Sequence, residues 1–188
     1  RSQRLCSGTS SRQNVVFVPW KGHHGGTFQF AAISMTGPGV DPIAPGTDCI
    51  RTYTYSLIER LPNGAHGITQ KNVPLAPDRA PYGSEMIAAT ATKNRDGYWV
   101  LTYDSNVGDI LAYRVDGAGV NPVPVISSAI GMTAVGQMQI SPDGSTVAMN
   151  SVFGTVFDFD NATGRLSNQR DIGSFDISSR FYEKVYKG

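Results

Sequence analysis

An internal repeat constrains what this chain can fold into more than any other feature of it. Asn94-Arg95-Asp96-Gly97-Tyr98-Trp99-Val100-Leu101 aligns with Ser141-Pro142-Asp143-Gly144-Ser145-Thr146-Val147-Ala148, the two Asp-Gly pairs lying 47 residues apart. Each stretch reads as strand, Asp-Gly turn, strand, the commonest short hairpin signal. A second matched pair follows: 110–116 alternates apolar and polar residues through Leu111, Tyr113 and Val115, and 155–160 does so through Phe157 and Phe159. Turns at Asp116-Gly117-Ala118-Gly119 and Asn161-Ala162-Thr163-Gly164 then lead to weaker fourth strands at 123–127 and 168–172. The unit is four strands in about 45 residues, the size of a propeller blade.

The same template extends toward both ends. Residues 14–19 read as a second strand, 28–35 and 51–58 share the outer ribbon, and 71–75 form a fourth strand. The pattern predicts an all-β fold: a β-propeller-like array of four-stranded antiparallel blades. Blade one covers 12–77 with an insertion at 36–48, blade two 84–130, blade three 134–173, and a partial blade four 174–188, where Phe175-Asp176-Ile177-Ser178 repeats Met138-Gln139-Ile140-Ser141. About three and a half blades cannot close a ring of ordinary size, and closure is what removes exposed strand edges. The expectation is therefore an incomplete ring whose open sides are covered by remaining blades of the same protein or by another chain. An open curved stack of β-sheets is the alternative architecture. Phe17, Phe28, Phe30 and Tyr186 are expected to face the gap. The start, Arg1-Ser2-Gln3-Arg4-Leu5, has no initiator Met and no apolar leader, which reads as a processed or excised segment.

Gln13-Asn14-Val15-Val16-Phe17-Val18-Pro19, together with 68–75, 97–127 and 136–168, resembles the propeller-like, WD-repeat-like N-terminal region of large secreted Bacteroidetes proteins. Those proteins end in a type IX secretion sorting domain and belong to the gliding-motility and adhesin class. The most specific tract is Ile140-Ser141-Pro142-Asp143-Gly144-Ser145 followed by Phe157-Asp158-Phe159-Asp160-Asn161-Ala162-Thr163-Gly164. The resemblance implies a secreted or cell-surface bacterial protein and further blades beyond this segment, but no catalytic residues. Tyr103-Asp104 departs from the Thr-His-Glu tract common in that family, and Ser179-Arg180 stands in place of its Pro-Asp-Gly turn.

Composition narrows the partners. Charged residues make up only 16% of the chain, the formal net charge is +1, and Lys and Arg are scattered, so no face is prepared to track a nucleic-acid backbone. Apolar runs reach only a handful of residues, far short of the ~20 that span a bilayer. Cys6 and Cys49 are the only cysteines. An oxidising compartment would allow them a disulfide, and otherwise they fit as two small buried thiols. Without a second pair or a C-x-x-C spacing they do not make a zinc site.

Motifs that carry chemistry are few. His23 and His24 in Gly22-His23-His24-Gly25-Gly26 could bring imidazoles to a metal or a sugar hydroxyl, but no Asp, Glu or Cys stands at ligand spacing. Asp158-x-Asp160-Asn161-x-Thr163-Gly164 has the look of a calcium loop, yet Ala162 fills one required position and no Glu closes it; an Asx-type turn is the better reading. The same Asn161-Ala162-Thr163 is a glycosylation sequon and reads, in a bacterial chain, as that turn. Gly-x-Ser-x-Gly, G-x-G-x-x-G and Gly-Lys-Ser are all absent. No catalytic residue, metal site or cofactor is assigned.

Propeller ligands meet rim loops or the central channel, so a site is expected where loops of one kind emerge together. Read as connections between second and third strands, 19–27, 103–109 and 150–154 gather Trp20, His23, His24, Tyr103, Asp104, Asn106, Asp109 and Asn150 on one side as candidate ligand-binding residues. The function expected is a non-enzymatic binding or adhesion module for a surface glycan or protein. The alternative is part of a propeller enzyme, lactonase-like or quinoprotein-like, whose catalytic groups lie mostly outside this segment.

Overall fold

The computed structural model describes residues 15–21, 29–36, 52–78, 83–132, 136–150 and 153–174. The segment 174–188 read as a partial blade lies outside them from residue 175 onward, as do Cys6, Cys49 and all of the 36–48 insertion after Thr36. Every regular element among the described residues is a strand, and the strands form three antiparallel sheets, none closed into a barrel. The first sheet is β1 (Val15–Lys21), β2 (Gln29–Thr36), β3 (Thr52–Arg60) and β4 (His66–Pro74), in that spatial order. The second is β5 (Gly83–Ala91), β6 (Gly97–Asp104) and β7 (Asp109–Asp116), with β8 (Gly119–Val120) and β9 (Val125–Ser128) both paired to β7. The third is β10 (Gln137–Ile140), β11 (Thr146–Asn150), β12 (Phe153–Asp160) and β13 (Arg165–Ser174).

Two local features differ from the sequence reading. The fourth strand of the second sheet is broken: Pro122 and Pro124 lack the N–H a ladder needs, so β8 pairs only with Val115 and Asp116, and β9 with 109–112. The displaced segment offers its Pro122 carbonyl to the Ala76 N–H (3.1 Å), tying the second sheet to the first. The repeated hairpins, moreover, do not superpose on Asp-Gly. Thr92 and Gly97 close one loop and Ser141 and Thr146 the other, so both loops hold four residues and the true offset is 49. Arg95 (φ +56°) and Gly144 (φ +69°) occupy the equivalent left-handed position. The hydroxyls of Thr92 and Ser141 each accept the N–H four residues on, from Asp96 (3.2 Å) and Ser145 (3.2 Å). A type I turn capped by a hydroxyl thus replaces the two-residue turn that Asp-Gly suggests.

The centre of the second sheet, β6 and β7, is buried on both faces. Trp99, Leu101, Tyr103, Ile110 and Ala112 pack toward the third sheet, against Met138, Val147, Met149, Phe157 and Phe159. Val100, Leu111, Tyr113 and Val115 pack toward the first, against Val18, Ile33, Tyr53 and Leu57. That is why β6 reads Tyr-Trp-Val-Leu-Thr-Tyr without alternation, whereas β11, covered on one side, alternates. The two outer faces differ. Phe17 (59% exposed), Val15 and Ile68 lie bare on the first sheet, while Gln137, Gln139 and an Arg170–Asp158 ion pair of 2.6 Å finish the third.

Tyr53 pins the first sheet to the second where the β5–β6 ladder is interrupted, between the Gly83↔Asp104 and Ile87↔Thr102 pairs. Its hydroxyl accepts the N–H of Ser84 (2.9 Å) and of Tyr103 (3.3 Å), and its own proton lies within reach of the Tyr103 carbonyl (2.9 Å) and the Ser84 carbonyl (3.1 Å). Burial pushes the phenol above its ordinary value of 10.0, so it stays neutral and able to donate. Tyr53→Phe keeps the ring and leaves these buried groups unpaired. It is expected to destabilise the fold by about 2–4 kcal/mol with an unchanged m-value in urea denaturation; stability equal to the parent would show that the hydroxyl is not the pin.

Candidate functional site

Of the eight candidate ligand-binding residues, those in the described strands belong to connections of two kinds. The connection 22–28 joins β1 to β2, the first and second described strands of their sheet, whereas 105–108 and 151–152 join second to third strands. His23 and His24 lie outside the described residues, and Trp20 stands in β1. Tyr103 and Asp104 are buried, at 1% and 2% exposure. The Tyr103 hydroxyl donates to the Met132 carbonyl (3.1 Å), and burial beside Asp104 and Asp109 pushes that phenol up, so it remains a donor. The Asp104 carboxylate takes the Asn106 N–H (3.1 Å), and Asp109 accepts from the Ser128 hydroxyl (3.2 Å). The loop itself is closed by Gly108 N–H to Asp104 (2.9 Å) and by Ala129 N–H to Gly108 (2.7 Å). Tyr103 and Asp104 therefore build this end of the stack and are not open to a ligand; Asn106 and Asn150 are exposed and Asp109 is half-buried.

The cleft lies at the other end of β6. There the 93–96 loop of the second sheet faces the 142–145 loop and the 161–164 turn of the third across a space of about 500 Å³, within the range of small-ligand sites, roughly 300–1,000 Å³. One residue fixes its width. Asn161 accepts the Trp99 indole N–H on its carbonyl (2.9 Å) and donates from Nδ2 to the Ala91 carbonyl (3.0 Å), so both of its ends are fastened to the second sheet. Its Oδ1 is buried in the wall with no protein partner. A β-carbon on Gly144 would stand 2.3 Å from Asn161 Nδ2, and one on Gly164 2.7 Å from the Trp99 ring. The Arg114 guanidinium covers that ring, 5.5 Å from its centroid.

The carboxylates around this end are engaged in their own turns. Asp143 accepts from the Ser141 hydroxyl (2.5 Å), the Ser145 N–H (3.1 Å) and the Ser145 hydroxyl (2.8 Å), and these bonds, Ser141's first, hold it below its ordinary value of 3.8. Asp160 accepts from the Thr163 hydroxyl (2.7 Å) and the Ala162 N–H (3.0 Å), bonds that lower it in the same way, with the Lys93 charge adding to them. Asp96 is held down by the Thr92 hydroxyl (2.6 Å) and by Arg114 (2.6 Å). The stretch that resembled a calcium loop is accounted for by these contacts, because Asp158 turns outward to Asn168 (2.7 Å) and Arg170 (2.6 Å). Among the described residues, no three His, Cys, Asp or Glu side chains are grouped to hold a metal. The lining includes Lys93, Arg95, Thr90, Ser145, Asp143 and Asp160: two cations, two hydroxyls and two anions.

Sequence reasoning saw Asn161 and Gly144 only as turn residues. Nothing local to either announces a bond to Ala91 or Trp99, since both depend on how two sheets pack.

No protein-family model matches the chain, and no curated protein matches it. Among solved structures, a hypothetical selenium-binding protein from Sulfolobus tokodaii aligns over 89% of this chain and 43% of that one, at 13% identity and a TM-score of 0.47. The chain spans less than half the length of that protein.

Gly144→Ala tests the Asn161 fastening. The new methyl meets a left-handed φ and the Asn161 amide together, so a loss of about 2–4 kcal/mol is expected by chemical denaturation. Gly117→Ala, where nothing lies within 4 Å, is the control and should change stability little. Equal effects of the two substitutions would refute the close approach.

Proposed function

We propose that this chain is part of a β-propeller-like array acting as a non-enzymatic binding or adhesion module, secreted or held on a bacterial cell surface, with its ligand in the cleft between the second and third sheets. The observation that carries the reading is the cleft itself: a concave space of about 500 Å³ whose width is set by fixed hydrogen bonds and whose lining mixes cations, hydroxyls and carboxylates. A backbone frame fixed in this way leaves only side chains to be ordered when a ligand arrives. The propeller reading is supported by sheets that follow one another in chain order and pack face to face around the second. The resemblance carried by 140–145 and 157–164 supports the compartment.

The test is a panel of surface glycans and proteins presented to the full chain and to Pro142→Trp, which fills the cleft mouth from an exposed turn position. Binding by the parent and its loss in the variant, at equal melting temperature, is the expected result. Uniform non-binding by the parent would overturn the reading.

A ring requires another sheet against the bare face of the first, where Phe17 is 59% exposed. Burying a side chain of that size is worth roughly 1.5–3 kcal/mol. The 188-residue chain alone is therefore expected to self-associate in light scattering, and Phe17→Asp to shift it toward the 20.2 kDa monomer. A parent chain that is already a stable monomer would count against an incomplete ring.

A further inference from the structure

Resting on the binding-module reading, we propose that the cleft takes an acidic saccharide, its carboxylate received by Arg95 and Lys93 and its hydroxyls by Asp143 and Asp160. The supply of charge in the cleft is uneven. Asp143 and Asp160 are already engaged by their own turns, which hold them ionised but leave lone pairs over, since a carboxylate can accept about four hydrogen bonds. The cations are not engaged. Among the described residues neither Arg95 nor Lys93 forms a hydrogen bond or ion pair through its side chain, and Lys93 acts on Asp160 only through its field.

Arg95 carries a second, independent sign. It holds φ +56° at the position where the equivalent hairpin has Gly144, a conformation that a β-carbon disfavours. Three other residues without a glycine's freedom share that region. Asn72 and Asn168 are of the type that tolerates it, and Ala76 is buried and bonded to Pro122. Arg95 is exposed, and no contact of its side chain repays the strain. The hairpin turn calls for a left-handed residue here, which Gly144 supplies in the equivalent loop, so arginine at 95 adds a cationic residue to the cleft lining at a position where glycine would serve the turn alone.

A ligand that satisfies this lining needs an anion for the cations and several hydroxyl donors for the spare carboxylate lone pairs. Inorganic phosphate brings the charge without the hydroxyls, a peptide carboxylate brings chiefly N–H donors, and a neutral sugar brings the hydroxyls without the charge. An acidic saccharide brings both.

The experiment is calorimetric titration of the full chain with an oligouronate and with its methyl-esterified, neutral counterpart, repeated for Arg95→Gly and Lys93→Gln. The oligouronate is expected to bind at least about tenfold more tightly than the ester, and each variant to lose about tenfold or more in affinity. Arg95→Gly is expected to keep its melting temperature or gain up to about 4 °C, because it relieves the left-handed strain, so a loss of binding there is not a loss of fold. Unaltered affinity in Arg95→Gly would overturn the assignment. Equal binding of acid and ester would overturn it too, while binding still abolished by Pro142→Trp would leave the binding-module reading standing. An acidic peptide or inorganic phosphate competing as well as the oligouronate would overturn the saccharide class.

Discussion

Both faces of β6 and β7, the centre of the second sheet, are dry, and the rest of the structure follows from that. A strand pair covered on two sides cannot leave a polar group to water, so each interruption in its ladder must be answered by a neighbouring sheet. Tyr53 answers the gap between Gly83 and Ile87 from the first sheet, and Asn161 answers the Ala91 carbonyl and the Trp99 indole from the third. These contacts do more than satisfy polar atoms. Apolar packing would tolerate some sliding of one sheet over the next, whereas hydrogen bonds near 3 Å hold a single register. Glycines at 144 and 164 let the third sheet come close enough for the bonds to form.

Much of the local structure was legible in the sequence because it is written at short range. Alternation through Leu111, Tyr113 and Val115, or through Phe157 and Phe159, marks strands, and the Gly-ended turn at 161–164 marks a reversal; the sheets place β7, β12 and their turn there. What was not legible is set by packing or by subtle turn chemistry. Aligning the hairpins on Asp-Gly put them two residues out of step, because hydroxyl caps at Thr92 and Ser141, rather than the glycines, define where each loop begins. Tyr103 and Asp104 look like rim residues in a polar loop sequence, yet the loop folds back onto Ala129 and buries both. The expected equivalence of 19–27 with 103–109 and 150–154 is not kept by the strand order, for a related reason. Loops are equivalent only when the strands they join hold equivalent places in their sheets, and spatial order is invisible until the sheets are assembled.

The two ends of the β6 hairpins consequently have different characters. At the 105–108 end, Asp104, Asp109 and Tyr103 have protein partners, and the chain is closed on itself. At the 93–96 end the anions are likewise held, but the cations at 93 and 95 are not, and the loops of two sheets stand apart across a cleft. The difference arises from sequence. The second-to-third connection is flanked by Asp104 and Asp109, which bond to Asn106 and Ser128, whereas Lys93 and Arg95 stand within the four-residue loop at the other end.

A stack of sheets with dry faces has little freedom in where it can place a site. Ligand groups cannot enter between the faces without unpacking the core. Strand ends can hold a site, but they are useful only if their separation is constant, since a gap that breathes adds to each binding event the entropy of fixing it. Asn161 supplies that constancy here. It stands at the foot of the cleft, is bonded across it at both of its ends, and is locked in place by a glycine that cannot acquire a side chain without striking it. The same few atoms that keep the second and third sheets in register therefore also hold the space between their loops at one width, so that stability and site geometry are not separable at this position.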